Sequence, residues 1–358
     1  MWINLLISFA TVIIFLLLLE GISTLLVNPD LSQYLLMDEA THTQQSHVRD
    51  FDLVFRNKPD ADYMMTNRFG ETRAVINSQG FRDYRDFTEE KPTGVYRIMC
   101  IGDSSTFGLF VNQEESYPAQ LQTLLNQRQS EWHYNVINAG CAGYSSFNAL
   151  RALERYGPQY HPDVVILSVG ANDFSRKSNG IPDKERDYRS GSLVFFRRII
   201  FNTNTYLFLS QIINSICKPE AVESGARVSL DDYRGYLSEF ARLAQNLDAK
   251  VIFCPISVPP AYKQIMEEVA AENHVVWWDS ESSLKRAWRV LVAGADNYEG
   301  IKVGEIVDLD TRKIEGLRTP DFEEGYQMRS KSWVMEDVAH PNPIGYHAIA
   351  EDLATLVP

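Results

Sequence analysis

YRIMCIGDSSTFG, residues Tyr96 to Gly108, joins a short apolar run to a turn of small polar residues. Ile98, Met99, Cys100 and Ile101 have the unbroken apolar character of a fully buried strand. The run stops at Gly102-Asp103-Ser104, and Ser105, Thr106 and Gly108 follow. A buried strand opening into such a turn exposes a hydroxyl at the carboxyl end of a sheet, where open α/β sheets keep their ligands. An ordinary strand-to-loop exit uses the same residue types. The rest of the chain has to distinguish the two.

Outward from this stretch the sequence alternates. Tyr117 to Arg128 carries Leu121, Leu124 and Leu125 at helical spacing. Tyr134 to Asn138 reads as a second strand, ending in AGCAGYSS (Ala139 to Ser146), and helical sequence resumes from Phe147 to Tyr156. DVVILSV (Asp163 to Val169) is the strongest strand and ends at Gly170-Ala171-Asn172-Asp173. Such runs suit strands buried on both faces of a parallel sheet. Ser229 to Leu247 is helical, with Tyr233, Leu237, Phe240, Ala244 and Leu247 on one face and Ser229 with Asp232 resembling a capping box. Lys250 to Cys254 is a fourth strand, Tyr262 to Asn273 a helix, and Val275 to Trp278 a fifth strand. The last helix starts at Pro343 behind Asn342, a good N-cap, and buries Ile349, Leu353 and Leu356. The alternation predicts an α/β fold, a parallel sheet with helices on both faces and right-handed crossovers. Insertions at about 174–228 and 290–330 interrupt it. The first contains SLVFFRRIIFNTNTYLFLSQIINSI (Ser192 to Ile216) and reads as extra helices covering the sheet, or as a lid or a surface resting on a bilayer.

No charged residue occurs from Met1 to Leu19. At ~1.5 Å per residue this reaches about 28 Å, close to the ~30 Å of a hydrocarbon core. Residues 1–27 therefore read as an uncleaved transmembrane anchor, with a signal peptide ending near Gly21-Ile22-Ser23 as the rival. No Lys or Arg precedes this segment and the first to follow is Arg49, so positive charge does not orient it. Residues 28–93, polar and punctuated by Pro29, Pro59 and Pro92, read as a stalk and an edge segment packed on a main domain at 94–358. A formal net charge of −13 argues against a nucleic-acid partner. Of the four cysteines, Cys100 and Cys254 lie in strands, Cys141 in a glycine-rich loop and Cys217 at the end of an amphipathic stretch, a distribution that reads as free thiols.

Four loops should share one edge of the sheet: Gly102 to Ser104, Gly140 to Gly143, Gly170 to Asp173, and Asp337-Val338-Ala339-His340-Pro341. A serine hydroxyl is a weak nucleophile until a base takes its proton, and histidine suits that role at neutral pH. Of the seven histidines, His133, His161 and His274 precede strands, His42 and His47 lie in the stalk region, and His347 falls inside the last helix. Only His340 sits in a loop with an acid, Asp337, three residues before it. That carboxylate would fix the ring's tautomer. Donors for a developing oxyanion are at hand in the Asn172 amide and the backbone N–H groups of Gly143 and Ser104. Turn chemistry alone could explain each residue singly. The combination points to nucleophilic catalysis by Ser104. Gly102 to Gly108 lacks the lysine and spacing of a phosphate loop. It nearly matches the nucleophile elbow of α/β-hydrolases, but there acid and base are usually far apart in sequence. Cys141 has no separate His–acid pair to activate it, and no Cys/His/Asp cluster has metal-ligand spacing. Neither a cofactor nor a metal is expected.

The arrangement resembles the SGNH (GDSL-type) hydrolase superfamily from about Gly94 to Pro358. Its serine block resembles Gly102-Asp103-Ser104, its glycine block Asn138 to Gly143, its Gly-x-Asn-Asp block Gly170 to Asp173, and its Asp-x-x-His block Asp337 to His340. Ser105 stands where many members have leucine, a side chain without a catalytic role. The resemblance implies a three-layer, flavodoxin-like α/β/α sandwich with a mostly five-stranded parallel sheet. It implies a serine esterase with Ser104, Asp337 and His340 as triad and Ser104, Gly143 and Asn172 as oxyanion hole, acting on an acylated small molecule, glycan or lipid. Asn77 to Asp83 (NSQGFRD) and the N-terminal segment are similar to membrane-tethered prokaryotic members whose catalytic domain lies outside the cytoplasm. The same triad could pass its acyl group to an envelope polysaccharide, as an O-acyltransferase. A catalytically silent envelope binding or assembly module is the alternative from another class.

Overall fold

In the computed structural model, residues 2–27, 46–67, 70–175, 182–187, 189, 194–216, 225–303, 334–335 and 339–358 are described. The first element is α1 (Trp2–Leu26). Among the described residues it is the one helix long and apolar enough to cross a membrane, a measure that a signal sequence also passes. Two antiparallel hairpins follow, β1 (His47–Asp50) with β2 (Val54–Asn57), and β3 (Asp62–Asn67) with β4 (Gly70–Val75). His47, grouped by sequence with a stalk, is the buried first residue of β1. Leu53, Phe55, Phe81 and Phe87 are packed into the main core, which fastens this region to the sheet.

The central sheet comprises β5 (Val95–Gly102), β6 (His133–Gly140), β7 (Val164–Ser168), β8 (Lys250–Phe253) and β9 (Val276–Trp277). All neighbours are parallel, in the order β6-β5-β7-β8-β9. The first core strand thus lies between the second and third, the doubly wound order in which ligands bind outside the strand ends where the order reverses. Alternate residues of β5 face opposite layers, as the pleat requires. Met99 and Ile101 pack against α4 (Ser146–Tyr160), α8 (Leu230–Asn246) and α9 (Pro260–Glu272). Ile98 and Cys100 face α3 (Tyr117–Asn126), α10 (Ser280–Val292) and α11 (Pro343–Leu356). Asn342 caps α11 by accepting the Gly345 N–H at 3.0 Å, and Ser229 caps α8 by accepting that of Asp232.

Three helices fall outside the periodic segments read from sequence. Two are single turns at strand exits, α2 (Ser104–Phe107) and α5 (Ala171–Phe174). The third, α10, buries Leu284, Ala287, Trp288 and Leu291 among intervening charged residues. The first insertion contains α6 (Val194–Ile200) and α7 (Asn204–Ile216). They do not cover the sheet as expected: Phe195, Phe196, Ile199 and Ile213 are exposed. The insertion meets the body at the β1–β2 hairpin, where Arg49 Nη2 donates to the Phe201 carbonyl and Arg198 pairs with Asp52. Residues 304–333 of the second insertion, and Cys217, lie outside the described residues.

Candidate active site

β5 delivers Ser104 to the carboxyl edge of the sheet. Gly102 stands opposite Gly140 of β6 and Ser168 of β7, so three strands end at one level. A Cβ on Gly102 would stand 2.3 Å from the Ser168 carbonyl oxygen, a separation no side chain tolerates. Asp103 then caps α2, its carboxylate accepting the Ser105 N–H at 2.9 Å, which places Ser104 in the helix's first turn. N–H groups of a first turn have no partner within the helix.

The last loop brings His340 to the same point. Its Nε2 lies 2.7 Å from Ser104 Oγ across 236 positions of sequence. For the hydroxyl to donate, Nε2 must be unprotonated and the neutral ring's proton must sit on Nδ1. The His340 ring meets Phe110 edge-on with centroids 5.5 Å apart, and Ser105 Oγ donates to the neighbouring Ala339 carbonyl. Asp337, the carboxylate expected to hold Nδ1, lies outside the described residues.

Gly143 and Asn172 come from the exits of β6 and β7. Gly143 has φ +85°, a left-handed conformation that glycine adopts at little cost. Asn172 Nδ2 donates to the Tyr144 carbonyl at 3.0 Å, tying the two loops together. A second amide N–H remains on that nitrogen. The structure therefore brings Ser104 and His340 into contact and joins the loops of Gly143 and Asn172.

A polar layer supports these loops from behind. Asp173 is fully buried and accepts hydrogen bonds from the Ser146 N–H at 3.0 Å and the Ser146 hydroxyl. Burial pushes its carboxyl up to about 7, against those hydrogen bonds. Asp103 is pushed up to about 6 for the same reason, opposed first by the Ser105 N–H and then by nearby His340. Arg227 and Asp183 form a buried ion pair at 2.9 Å. Arg227 Nη1 also donates to the Gly143 carbonyl at 3.0 Å, and the Ser145 hydroxyl donates to Asp183 at 2.6 Å. On the other side, the buried Arg82 guanidinium donates to the carbonyls of Phe107, Gly108 and Val111 and to the Gln113 side chain. That fixes the loop carrying Phe110.

Sequence reasoning missed Arg82, Asp183 and Arg227 as parts of this site. Arg82 falls within the NSQGFRD block but has no local sign of where it points. Asp183 and Arg227, 44 positions apart, lie in an insertion without a motif. Asp173, placed by sequence in the Gly-x-Asn-Asp block without a role of its own, is an interior hydrogen-bond acceptor. Cys141 is buried, and burial pushes its thiol up, which disfavours the thiolate that nucleophilic attack needs. Among the described residues, no group of three or more His, Cys, Asp or Glu side chains could hold a metal ion.

Residues 100–348 match the GDSL-like lipase/acylhydrolase family. An arylesterase of Vibrio mimicus is 32% identical over 88 residues, 25% of this chain and 42% of that protein, so the match spans less than half of the relative. Among solved structures, a catalytic mutant of Axe2, an acetylxylan esterase from Geobacillus stearothermophilus, aligns over 75% of this chain and 95% of its own, with 15% identity and a TM-score of 0.39. A putative GDSL-like lipase from Parabacteroides merdae aligns over 76% of this chain and 100% of its own, with 12% identity and a TM-score of 0.41.

Proposed function

Because the chain belongs to the GDSL-like lipase/acylhydrolase family, we propose that it is a serine esterase that works through an acyl-enzyme on Ser104. The observation that carries this reading is the 2.7 Å contact between Ser104 Oγ and His340 Nε2. In it, Oγ attacks the ester carbonyl carbon as Nε2 takes the hydroxyl proton. Asp337 holds the Nδ1–H and offsets the charge of the imidazolium. The oxyanion is received by the N–H groups of Ser104 and Gly143 and by the second amide N–H of Asn172. Each such donor is worth ~3–4 kcal/mol of transition-state stabilisation. When the intermediate collapses, the ester C–O bond breaks and His340 returns its proton to the departing alcohol. A water then attacks the acyl carbon, with His340 again as base, and frees the acid.

In this reading α1 stays attached as a membrane anchor and the catalytic domain faces outward. The ester is then one carried by an envelope glycan or lipid. Hydrolysis of a short p-nitrophenyl ester by the full chain and by Ser104→Ala tests the assignment. The variant should lose essentially all turnover, and full retention of activity would remove Ser104 from the reaction.

A further inference from the structure

The first insertion leaves an apolar surface that the esterase site does not use. Phe195, Phe196, Ile199 and Ile200 of α6 are 45% to 71% exposed, a high value for four large apolar side chains within seven residues. Leu209 and Ile213 of α7 are also exposed. Scattered surface leucines need no explanation, but contiguous apolar patches mark interaction sites.

The insertion is tied directly to α1. Glu20 accepts hydrogen bonds from the backbone N–H groups of Asn204 and Thr205 at 2.7 Å and 2.9 Å, capping α7 from another helix. The Thr205 hydroxyl donates to the same carboxylate, and Asn204 Nδ2 donates to Thr24 Oγ1 at 2.9 Å. Ser23 is buried, while every residue of α1 from Trp2 to Leu18 is exposed. The body therefore grips only the carboxyl end of α1. The free part ends at Glu20 after a rise of about 27 Å, close to the ~30 Å hydrocarbon thickness. A helix that crosses a bilayer through this free part would place Glu20 at the interface, and the start of α7 with it. The carboxyl end of α6, only the turn Phe201 to Thr203 away, arrives at the same depth.

We propose that α6 and α7 form a membrane-docking surface whose exposed Phe195, Phe196, Ile199, Ile200, Leu209 and Ile213 enter the headgroup and upper acyl region of the bilayer that α1 crosses. Amphipathic helices bind this zone through buried apolar area, and here the anchor supplies proximity. The β1–β2 hairpin relays the placement to the active-site edge. It holds α6 through Arg198 and Asp52, and it holds the oxyanion loop through the Tyr144 hydroxyl on the Phe55 carbonyl and Asn57 Nδ2 on the Gly140 carbonyl. Docking thus fixes the orientation of the catalytic edge relative to the lipid surface. A rotating tether would not.

Benzoylphenylalanine is placed singly at Phe15, Phe196, Ile213 and Trp132 in the full chain, reconstituted in phosphatidylethanolamine/phosphatidylglycerol vesicles and irradiated. Peptide mass spectrometry should find phospholipid adducts at positions 15, 196 and 213 and none at 132, which lies at the amino-terminal edge of β6. Adducts at Phe15 without any at Phe196 and Ile213 would overturn the docking while leaving the anchor. Loss of the Phe15 adduct would overturn both. A chain-to-chain crosslink at Phe196 in place of lipid would assign the patch to a second copy and overturn the proposal. None of these results depends on esterase activity.

Discussion

The Gly143 carbonyl accepts a hydrogen bond from Arg227 Nη1 at 3.0 Å, across 84 positions of sequence. This contact fixes one face of the peptide plane next to the N–H assigned to the oxyanion. The same guanidinium is held by Asp183, which accepts the Ser145 hydroxyl two residues further along the loop. If Gly143 receives the oxyanion as proposed, Arg227 acts on it as a positioning residue. Arg227→Met leaves the Asp183 charge buried without its partner, at a cost of ~3–5 kcal/mol in stability. The double variant Arg227→Met with Asp183→Asn should recover much of that stability while kcat stays low and KM changes little. Chemical denaturation alongside ester kinetics separates the two effects. Recovery of kcat in the double variant would show that the pair serves stability alone.

Asn172 offers a second, more local test. Its amide nitrogen ties the loop to the Tyr144 carbonyl, and its second N–H is the donor proposed for the oxyanion. Asn172→Ala should lower kcat by about 10²–10³-fold, the range seen when one oxyanion donor is removed. KM should move far less, since the interaction strengthens in the transition state. Steady-state kinetics on a p-nitrophenyl ester decides it. A change confined to KM would place Asn172 in ground-state binding.

Asp173 gives a pH prediction. Its carboxyl is raised from 3.8 to about 7 by burial. Between those values the folded chain keeps a proton that the unfolded chain has released. Its stability contribution is therefore complete below about 4 and declines as pH rises through about 7. Asp103, raised to about 6, adds a decline of the same sign over a slightly lower window. Asn mimics the protonated acid, so Asp173→Asn should gain stability relative to the unaltered chain as pH goes from 4 to 8. Urea unfolding across that range measures the difference. A difference independent of pH would mean that Asp173 titrates normally.

Arg82 is predicted to matter out of proportion to its distance from the nucleophile. Arg82→Met removes a donor from the carbonyls of Phe107, Gly108 and Val111; Phe107 keeps the Asn138 amide and Gly108 the Val111 N–H, while the Val111 carbonyl loses its donor at a cost of ~1–3 kcal/mol. The freed loop carries Phe110 away from the His340 ring. Thermal unfolding should show a large loss of stability, and activity measured well below the new melting temperature should still be reduced.

Much of this architecture could be read from residues alone, because burial on both faces writes itself as continuous apolar runs. Val164 to Ser168 and Ile98 to Ile101 are strands in the structure as in the sequence, and Asn342-Pro343 starts the last helix where capping chemistry puts it. The pairing of Ser104 with His340 was legible for a different reason: Ser104 follows a buried strand, and His340 alone among the histidines lies in a loop with an acid three residues before it. Elements without a period stayed hidden. The single turns α2 and α5 are too short to show one, and α10 scatters its apolar positions among charges. Arg82, Asp183 and Arg227 were illegible because a buried guanidinium is specified by carbonyls that only the folded chain assembles. Residues 194–200 and 204–216 of the first insertion are helical as expected, but the sequence carries no signal for whether their apolar side chains cover the sheet or stay exposed.

The proposed reaction requires His340 to make the Ser104 oxygen a nucleophile. The decisive measurement is reaction of the full chain with a fluorophosphonate, followed by mass-spectrometric mapping of the adduct. One adduct is expected, on Ser104, forming in the unaltered chain and lost in His340→Ala. An adduct on another serine, or ester hydrolysis that continues once Ser104 is fully modified, would refute that requirement.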